Sequence, residues 1–430
     1  MVDVGLPEEV WLCVFELLSP ADKLSVRTSC RLFKRLIDRP AMWRNSTVCL
    51  EKMTSYKSHF WRTLGKRKIS SAVMLKAGGM REWTELARRL PWLDSLTIRM
   101  CCDPAAFEGL GQFKKLKRLE IRHCRCPNLV GSLTPLLQLT HISFCEVVCA
   151  PGADVTNAVS QLTNLTSFYY HESNKPIPKA ALHKLLRCLP NLKRLSLKMP
   201  TMQEPLPSDY FCPTKANWQP GELKCDTLGL TSLELLNYMD PILSPVALQS
   251  FSCLKGLTVQ YRDWAPESCL CHLKTWMSTL PLLSELSISR GHPLGAYSNS
   301  VPRTVHSLSL KGVVAELKAV REMAQQLPDL LCLHLDLCCR ERQNLLAEVP
   351  QLFPKVQTLK IRHHNVPETE FLHLAQMAHL KRLVVLDPCL GPSSALTGLI
   401  YKLHLLTNSR VHVIHATEQK DRNNCLCAHH

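Results

Sequence analysis

Residues 93–101 read LDSLTIRMC, and residues 116–124 read LKRLEIRHC. Both follow Leu-x-x-Leu-x-Ile-x-x-Cys, and residues 330–338, LLCLHLDLC, repeat the pattern with Leu in place of Ile. The alternation inside x-Leu-x-Leu is the period of a short strand, whose successive side chains point to opposite faces. Its leucines point into a core, and the residues between them point away. Weaker copies keep the spacing: Leu139/Ile142/Phe144, Leu165/Phe168/Tyr170, Leu192/Leu195/Leu197, Leu230/Leu233/Leu235 and Leu254/Leu257/Val259. Further copies are Leu283/Leu286/Ile288, Val305/Leu308/Leu310, Val356/Leu359/Ile361 and Leu380/Leu383/Val385. Marked by the last apolar residue, the copies stand at 98, 121, 144, 170 and 197, then at 235, 259, 288, 310, 335, 361 and 385.

Most of these steps are 22 to 29 residues long, the period of leucine-rich repeats. Helical stretches fill the intervals, as at 81–90, 179–189 and 316–327, and several end at a Leu-Pro step such as Leu90-Pro91 or Leu327-Pro328. The residue before a proline avoids helical dihedrals, so the helix stops there. One repeat cannot bury its apolar face alone, and about a dozen stacked copies share one continuous core. The expected fold class is α/β: a short all-α region, then a solenoid with parallel strands on its concave face and helices outside. Cys101, Cys124 and Cys338 occupy the repeat position that stacks between turns, which resembles the cysteine-containing class of leucine-rich repeats.

The chain before the repeats follows another rule. In residues 6–44, LPEEVWLCVFELLSPADKLSVRTSCRLFKRLIDRPAMWR, Pro7 suits a first helical turn. Val10, Val14, Leu17 and Leu18 make one apolar stripe, and Trp11, Phe15 and Leu18 make a second. Ser19-Pro20 restarts the chain as an N-cap followed by a first-turn proline. Leu24, Val26, Cys30, Phe33, Leu36 and Ile37 give two more short apolar faces before Pro40. Three helices this short bury too little surface to stand alone.

The order Leu6-Pro7, Glu9-Val10, Phe15, Leu18, Asp22, Leu24, Arg27, Cys30-Arg31, Leu36, Pro40, Trp43-Arg44 resembles an F-box. Phe33 departs from the family, which more often has Trp there, but keeps an aromatic. The resemblance implies a substrate-receptor subunit of an SCF-type ubiquitin ligase, holding the small adaptor and, through it, cullin and RING subunits. It implies adaptor binding by Leu6, Pro7, Val10, Trp11, Phe15, Leu18 and Leu24. With the repeats covering the Trp43 side, the stripe of Trp11, Phe15 and Leu18 is the one expected to face the adaptor. A repeat scaffold or signalling adaptor without a ligase role is the alternative.

The expected organisation is an F-box region at 1–48, a linker helix within 49–72, the solenoid at 73–415 and a polar tail at 416–430. Lys57, Arg62, Lys66, Arg67 and Lys68 give the linker helix a basic outer face. Residues 199–224 carry five prolines and stretch one repeat step to 38 residues, which reads as a loop leaving the solenoid.

The formal charge of +16 favours acidic partners, but the basic residues are spread along the chain, so nucleic acid is not expected. No apolar run approaches the ~18 residues of a membrane span, and the first residues do not read as a secretory signal. The 21 cysteines are therefore expected as thiols in the cytosol or nucleus. Cys124-x-Cys126, Cys269-x-Cys271 and Cys425-x-Cys427 have the wrong spacing for structural zinc. No phosphate loop, nucleophile elbow or metalloprotease motif occurs, so neither catalytic residues nor cofactors are expected. The concave register gives Arg99, Arg122, Tyr169, Arg194, Lys198, Lys311, Lys360 and Arg362 as candidates for holding a target protein with an acidic or phosphorylated segment.

Overall fold

The computed structural model describes residues 6–44, 46–51, 53–76, 79–101, 104–126, 129–148, 155–172, 176–201, 204–211, 229–265, 270–338, 345–363, 366–387 and 391–417. The chain divides into two compact units, Met1–Tyr170 and His171–His430.

The first unit opens with α1 (Glu8–Glu16), α2 (Pro20–Arg27) and α3 (Arg31–Ile37), followed by a 3-10 turn at Pro40–Trp43. Ser19 caps α2 as expected, its hydroxyl accepting from the Asp22 amide at 3.1 Å. Pro7 sits one residue earlier than expected, at the cap of α1 with extended ψ. Phe15, Leu36, Ile37, Met42 and Trp43 form the small core of these helices.

A fourth helix, α4 (Ser58–Arg67), closes the Trp43 side. The Arg67 guanidinium lies 3.8 Å from the centroid of the Trp43 ring, and Trp43 Nε1 donates to the Ile37 carbonyl at 2.6 Å. Asp38 accepts from Arg27 at 2.7 and 2.8 Å and from Arg67 at 3.0 Å. One carboxylate thus ties α2, α3 and α4 together. Arg67 belongs to the expected basic outer face, yet it is 8% exposed. The indole and Asp38 together make burial of that one cation tolerable.

Among the described residues six parallel strands follow in chain order: β1 (Thr47–Leu50), β2 (Ser71–Met74), β3 (Ser95–Arg99), β4 (Arg118–Arg122), β5 (His141–Cys145) and β6 (Ser167–His171). The register is repeat on repeat, with Ala72 beside Leu96 and Leu96 beside Leu119. The ladder starts at Thr47 rather than near 73, because β1 pairs with β2 across Leu50 and Met74. At each of three successive strand exits one non-glycine residue turns left-handed: Met100 (φ 51), His123 (φ 51) and Glu146 (φ 50). Their cost is offset where the amides bond the next repeat, Met100 N–H to Arg122 O at 3.0 Å and His123 N–H to Cys145 O at 2.8 Å.

Cys101 and Cys124 are buried there as expected. The Cys124 sulfur accepts from the Cys101 amide at 3.3 Å, and its thiol donates to the Arg122 carbonyl at 3.1 Å. Cys338 departs from that role and is exposed; beside it the chain inserts Gly312 between Lys311 and Val313, the partners of Asp336 and Leu337. Eleven described cysteines are free, while Cys145 is disulfide-bonded, against the expectation of thiols throughout.

Among its described residues the second unit carries nine parallel strands in chain order: β7 (Arg194–Lys198), β8 (Ser232–Tyr238), β9 (Gly256–Trp264), β10 (Glu285–Gly291), β11 (Ser307–Val314), β12 (Cys332–Cys338), β13 (Thr358–Arg362), β14 (Arg382–Asp387) and β15 (His412–Thr417). Helices Lys179–Cys188 and Leu317–Gln326 stand where the Leu-Pro rule put them. The ladder runs through Thr417, two residues past the expected end of the solenoid, and the rest of the expected tail lies outside the described residues. The long step between β7 and β8 leaves register intact, with Leu197 beside Leu235. Part of the Pro-rich insertion is packed rather than projecting. Leu206 N–H donates to Ile242 O at 2.8 Å, Tyr210 Oη donates to Ile177 O at 2.9 Å, and the Phe211 ring centroid lies 5.3 Å from that of Phe251. Residues 212–224 of the insertion lie outside the described residues.

Candidate functional site

On the helices of the first unit the two apolar stripes have opposite fates. Phe15 is 2% exposed. Its ring meets Phe33 edge-on at 5.0 Å, and Trp11 lies 4.7 Å from Phe33 and 5.6 Å from Phe15. Phe33 therefore draws Trp11 and Phe15 inward, while Leu18 is half-buried. In the stripe expected to face a partner, Phe15 is buried and Trp11 and Leu18 are half-buried. The outward stripe is Val10, Val14 and Leu17, with Leu17 88% exposed. Leu6, Pro7 and Leu24 are exposed too.

The sheet faces of the two units carry the candidate basic residues. In the first unit Arg122 is buried, its Nη2 bonding Glu120 at 2.9 Å, and Arg99 beside it is half-buried. Tyr169 is half-buried on β6. Arg122 is thus committed inside the sheet, since burial of its charge requires Glu120.

In the second unit Arg194 is exposed and Lys198 half-buried. Next to them His171 Nε2 lies 2.7 Å from the Ser196 hydroxyl, which donates to Glu234 at 2.6 Å. The serine stands between histidine and carboxylate, whereas nucleophilic catalysis needs the histidine between them. Ser196 and His171 are each 1% exposed. This chain is structural.

Lys311, Lys360 and Arg362 are brought together on β11 and β13. Lys311 is exposed and registers beside Asp336, and Lys360 registers beside His334. Arg362 grips Asp336 through two bonds of 2.8 and 2.9 Å. His334 is 9% exposed, with Nδ1 3.0 Å from the Ser309 hydroxyl and Nε2 buried without a hydrogen-bond partner. Burial, and then Lys360 and Lys311, push its pKa down to about 3, so the imidazole is neutral at physiological pH. The basic character ends at β13, because Val384 and Leu386 take the matching positions on β14.

Sequence reasoning missed two features of this unit. Trp264, at the end of β9, is 55% exposed, its Nε1 donating to Gly312 O at 2.9 Å and Arg290 lying 5.9 Å from its ring centroid. The glycines at 291 (φ +75) and 312 (φ +61) were the available signal; at 291 a Cβ would stand 2.3 Å from the Tyr261 ring. The second feature is a buried knot around Asp240. Its carboxylate lies 2.8 Å from Tyr238 Oη, 3.2 Å from Tyr261 Oη, 2.7 Å from His292 Nε2 and 3.3 Å from His272 Nδ1. Burial raises the Tyr238 and Tyr261 pKa values and pushes that of Cys271 up to about 11. With the carboxylate 2% exposed, the knot reads as a satisfied polar core. Among the described residues no three His, Cys, Asp or Glu side chains are placed to hold a metal ion, and no helix is long and apolar enough to cross a membrane.

Residues 4–48 match the family model described as F-box-like. The chain carries an F-box-like domain. The sheets behind it form a leucine-rich-repeat solenoid of mixed α/β class, seen in their period, parallel register and buried leucines. No curated protein matches the chain. Solved structures similar to it include an internalin from Listeria monocytogenes, at 12% identity and TM-score 0.38 over 79% of this chain and 88% of that one. Toll, from a Drosophila Toll–Spatzle complex, is similar at 13% identity and TM-score 0.41 over 86% of this chain and 55% of that one. TLR13, from a complex with ssRNA13, is similar at 15% identity and TM-score 0.35 over 78% and 43%.

On the F-box-like domain the outward residues are Leu6, Pro7, Val10, Val14, Leu17 and Leu24.

Proposed function

We propose that this chain is the substrate receptor of an SCF-type ubiquitin ligase. The F-box-like domain would hold the small adaptor and, through it, cullin and RING subunits, while the repeats hold a target protein for ubiquitination. The observation that carries the reading is the outward stripe of Val10, Val14 and Leu17, flanked by Leu6 and Leu24, on a matched F-box-like domain. An apolar stripe left in water on so small a helical unit favours a protein partner. Rate enhancement would come from holding a target lysine near the charged enzyme, a proximity effect. The chain itself would contribute neither nucleophile nor base, nor bind a cofactor, and would work in the cytosol or nucleus.

The test is co-purification of adaptor and cullin with the full chain, comparing wild type with Val14→Glu/Leu17→Glu. Both positions are exposed, so folding should survive and adaptor recovery should fall at least ~tenfold, as expected for a charge placed in an apolar interface. Undiminished recovery would remove the stripe from the interface. Absence of adaptor from the wild-type sample would favour a repeat scaffold with no ligase role.

A further inference from the structure

The solvent-facing edge of β9–β13 in the second unit carries more than the three basic residues read from the sequence. Trp264 presents an exposed ring held by its bond to Gly312 O, with Arg290 beside it. Arg290 is exposed at the end of β10, one residue past Ser289, which registers with Lys311 on β11. Lys311 registers with Asp336 on β12, and Asp336 holds Arg362 on β13 beside Lys360. Among the described residues Arg290, Lys311, Lys360 and Arg362 lie along this edge with Asp336; Arg262 and Asp263 precede Trp264 as an ion pair, and the exposed indole stands at one end. Tryptophan and arginine are the residue types that most often dominate protein interfaces.

We propose that this edge is the docking surface for a target segment rich in Asp and Glu side chains, with an apolar residue seated on Trp264. The inference rests on the receptor reading and names the chemistry of its cargo. Neighbouring strands lie about 4.8 Å apart, so Arg290, Lys311 and Arg362 are spread over roughly 15 Å. A phosphate group needs several donors converging on one point, whereas here each strand offers about one cation. Asp336 already engages two of the three nitrogens of Arg362, Nε and Nη2. Carboxylates repeated along an extended segment fit such a row. His334 lies in the floor between Lys311 and Lys360, its Nε2 buried without a partner. Its neutral imidazole adds polarity without adding charge to be compensated.

The test uses the purified full chain and a fluorescent peptide of about twelve residues, alternating Glu and Gly around one central Leu, which spans roughly 40 Å when extended. Binding should be measurable by anisotropy and weaken with salt. Lys311→Glu/Lys360→Glu should reduce affinity at least tenfold and Trp264→Ala at least threefold, whereas Lys318→Glu, exposed on an outer helix of the same unit, should leave it unchanged. Equal binding of the Gln-for-Glu peptide, or indifference to the double charge reversal, would overturn the proposal. So would tighter binding of a Gln-for-Glu peptide bearing one phosphoserine, or of a single-stranded RNA of similar length. Adaptor recovery is measured on the same preparations. Loss of peptide binding with adaptor retained would sink this surface alone, and peptide binding without adaptor would sink the receptor reading alone.

Discussion

The F-box-like helices and the repeat ladder treat the same residues in opposite ways. In the ladder Leu96, Leu119, Leu233 and Leu359 are fully buried, because strand period and parallel register point each one at its counterpart in the next repeat. On α1 the helical period produces two stripes at once, and the one facing Phe33 is the more covered, with Phe15 at 2% exposure. An exposed leucine at a strand's inward position would be a defect, whereas Leu17, on the stripe turned away from Phe33, is 88% exposed.

Mutation inside α1 should sharpen that contrast most. Phe15→Ala should destabilise the first unit by about 3–5 kcal/mol in chemical denaturation, while Leu17→Ala should change stability by less than about 0.5 kcal/mol. Equal effects would mean that the inward and outward stripes have been misassigned.

The junction between helices and ladder should respond next. Asp38→Asn leaves Arg67 buried against Trp43 without its carboxylate and should cost about 1–3 kcal/mol at pH 7. The Arg27 guanidinium, aided by Arg67, holds the Asp38 carboxyl below the usual carboxylate range, despite opposing desolvation. A depressed folded-state pKa stabilises above the unfolded value, near 4, and that stabilisation is lost as pH falls through the folded value. The gap between wild type and Asp38→Asn should therefore be full at pH 7 and shrink progressively below pH 4. A gap that widens on acidification would reverse the assignment.

The smallest effect separates two cysteines at one repeat position. Cys124→Ala removes the acceptor of the Cys101 amide and should cost about 1 kcal/mol, whereas Cys338→Ala, at an exposed site, should fall within about 0.5 kcal/mol of wild type. Similar losses at both would show that the burial of Cys124 and the exposure of Cys338 make no difference.

Much of this was legible in the sequence, for identifiable reasons. Ser19-Pro20 specified a helix start through local chemistry alone, and Leu96, Leu119 and Leu333 specified strands through spacing. The first two strands were missed because Thr47–Leu50 and Ser71–Met74 replace the leucines with Val48, Ala72 and Met74, although Leu50, Met74 and Ile98 keep the period. The choice between the α1 stripes was not legible, since Phe33, eighteen residues beyond Phe15, decides it through a tertiary contact. The Asp240 knot gathers residues from 238 to 292 and has no local signature. Register places Lys311, Lys360 and Arg362 on their strands, but the partnership of Arg362 with Asp336 and the approach of Arg290 to Trp264 depend on strand neighbours.

The left-handed exits at Met100, His123 and Glu146 impose an arithmetic on the chain's history. Residues added between one exit and the following strand cost little, as the long passage from Leu197 to Leu235 shows by arriving in register. A single residue lost between Ser95 and Met100 would turn every following side chain of that strand to the other face, sending Ile98 to water and Arg99 into the core. A longer loop therefore leaves the repeat intact, whereas a miscount within a strand does not.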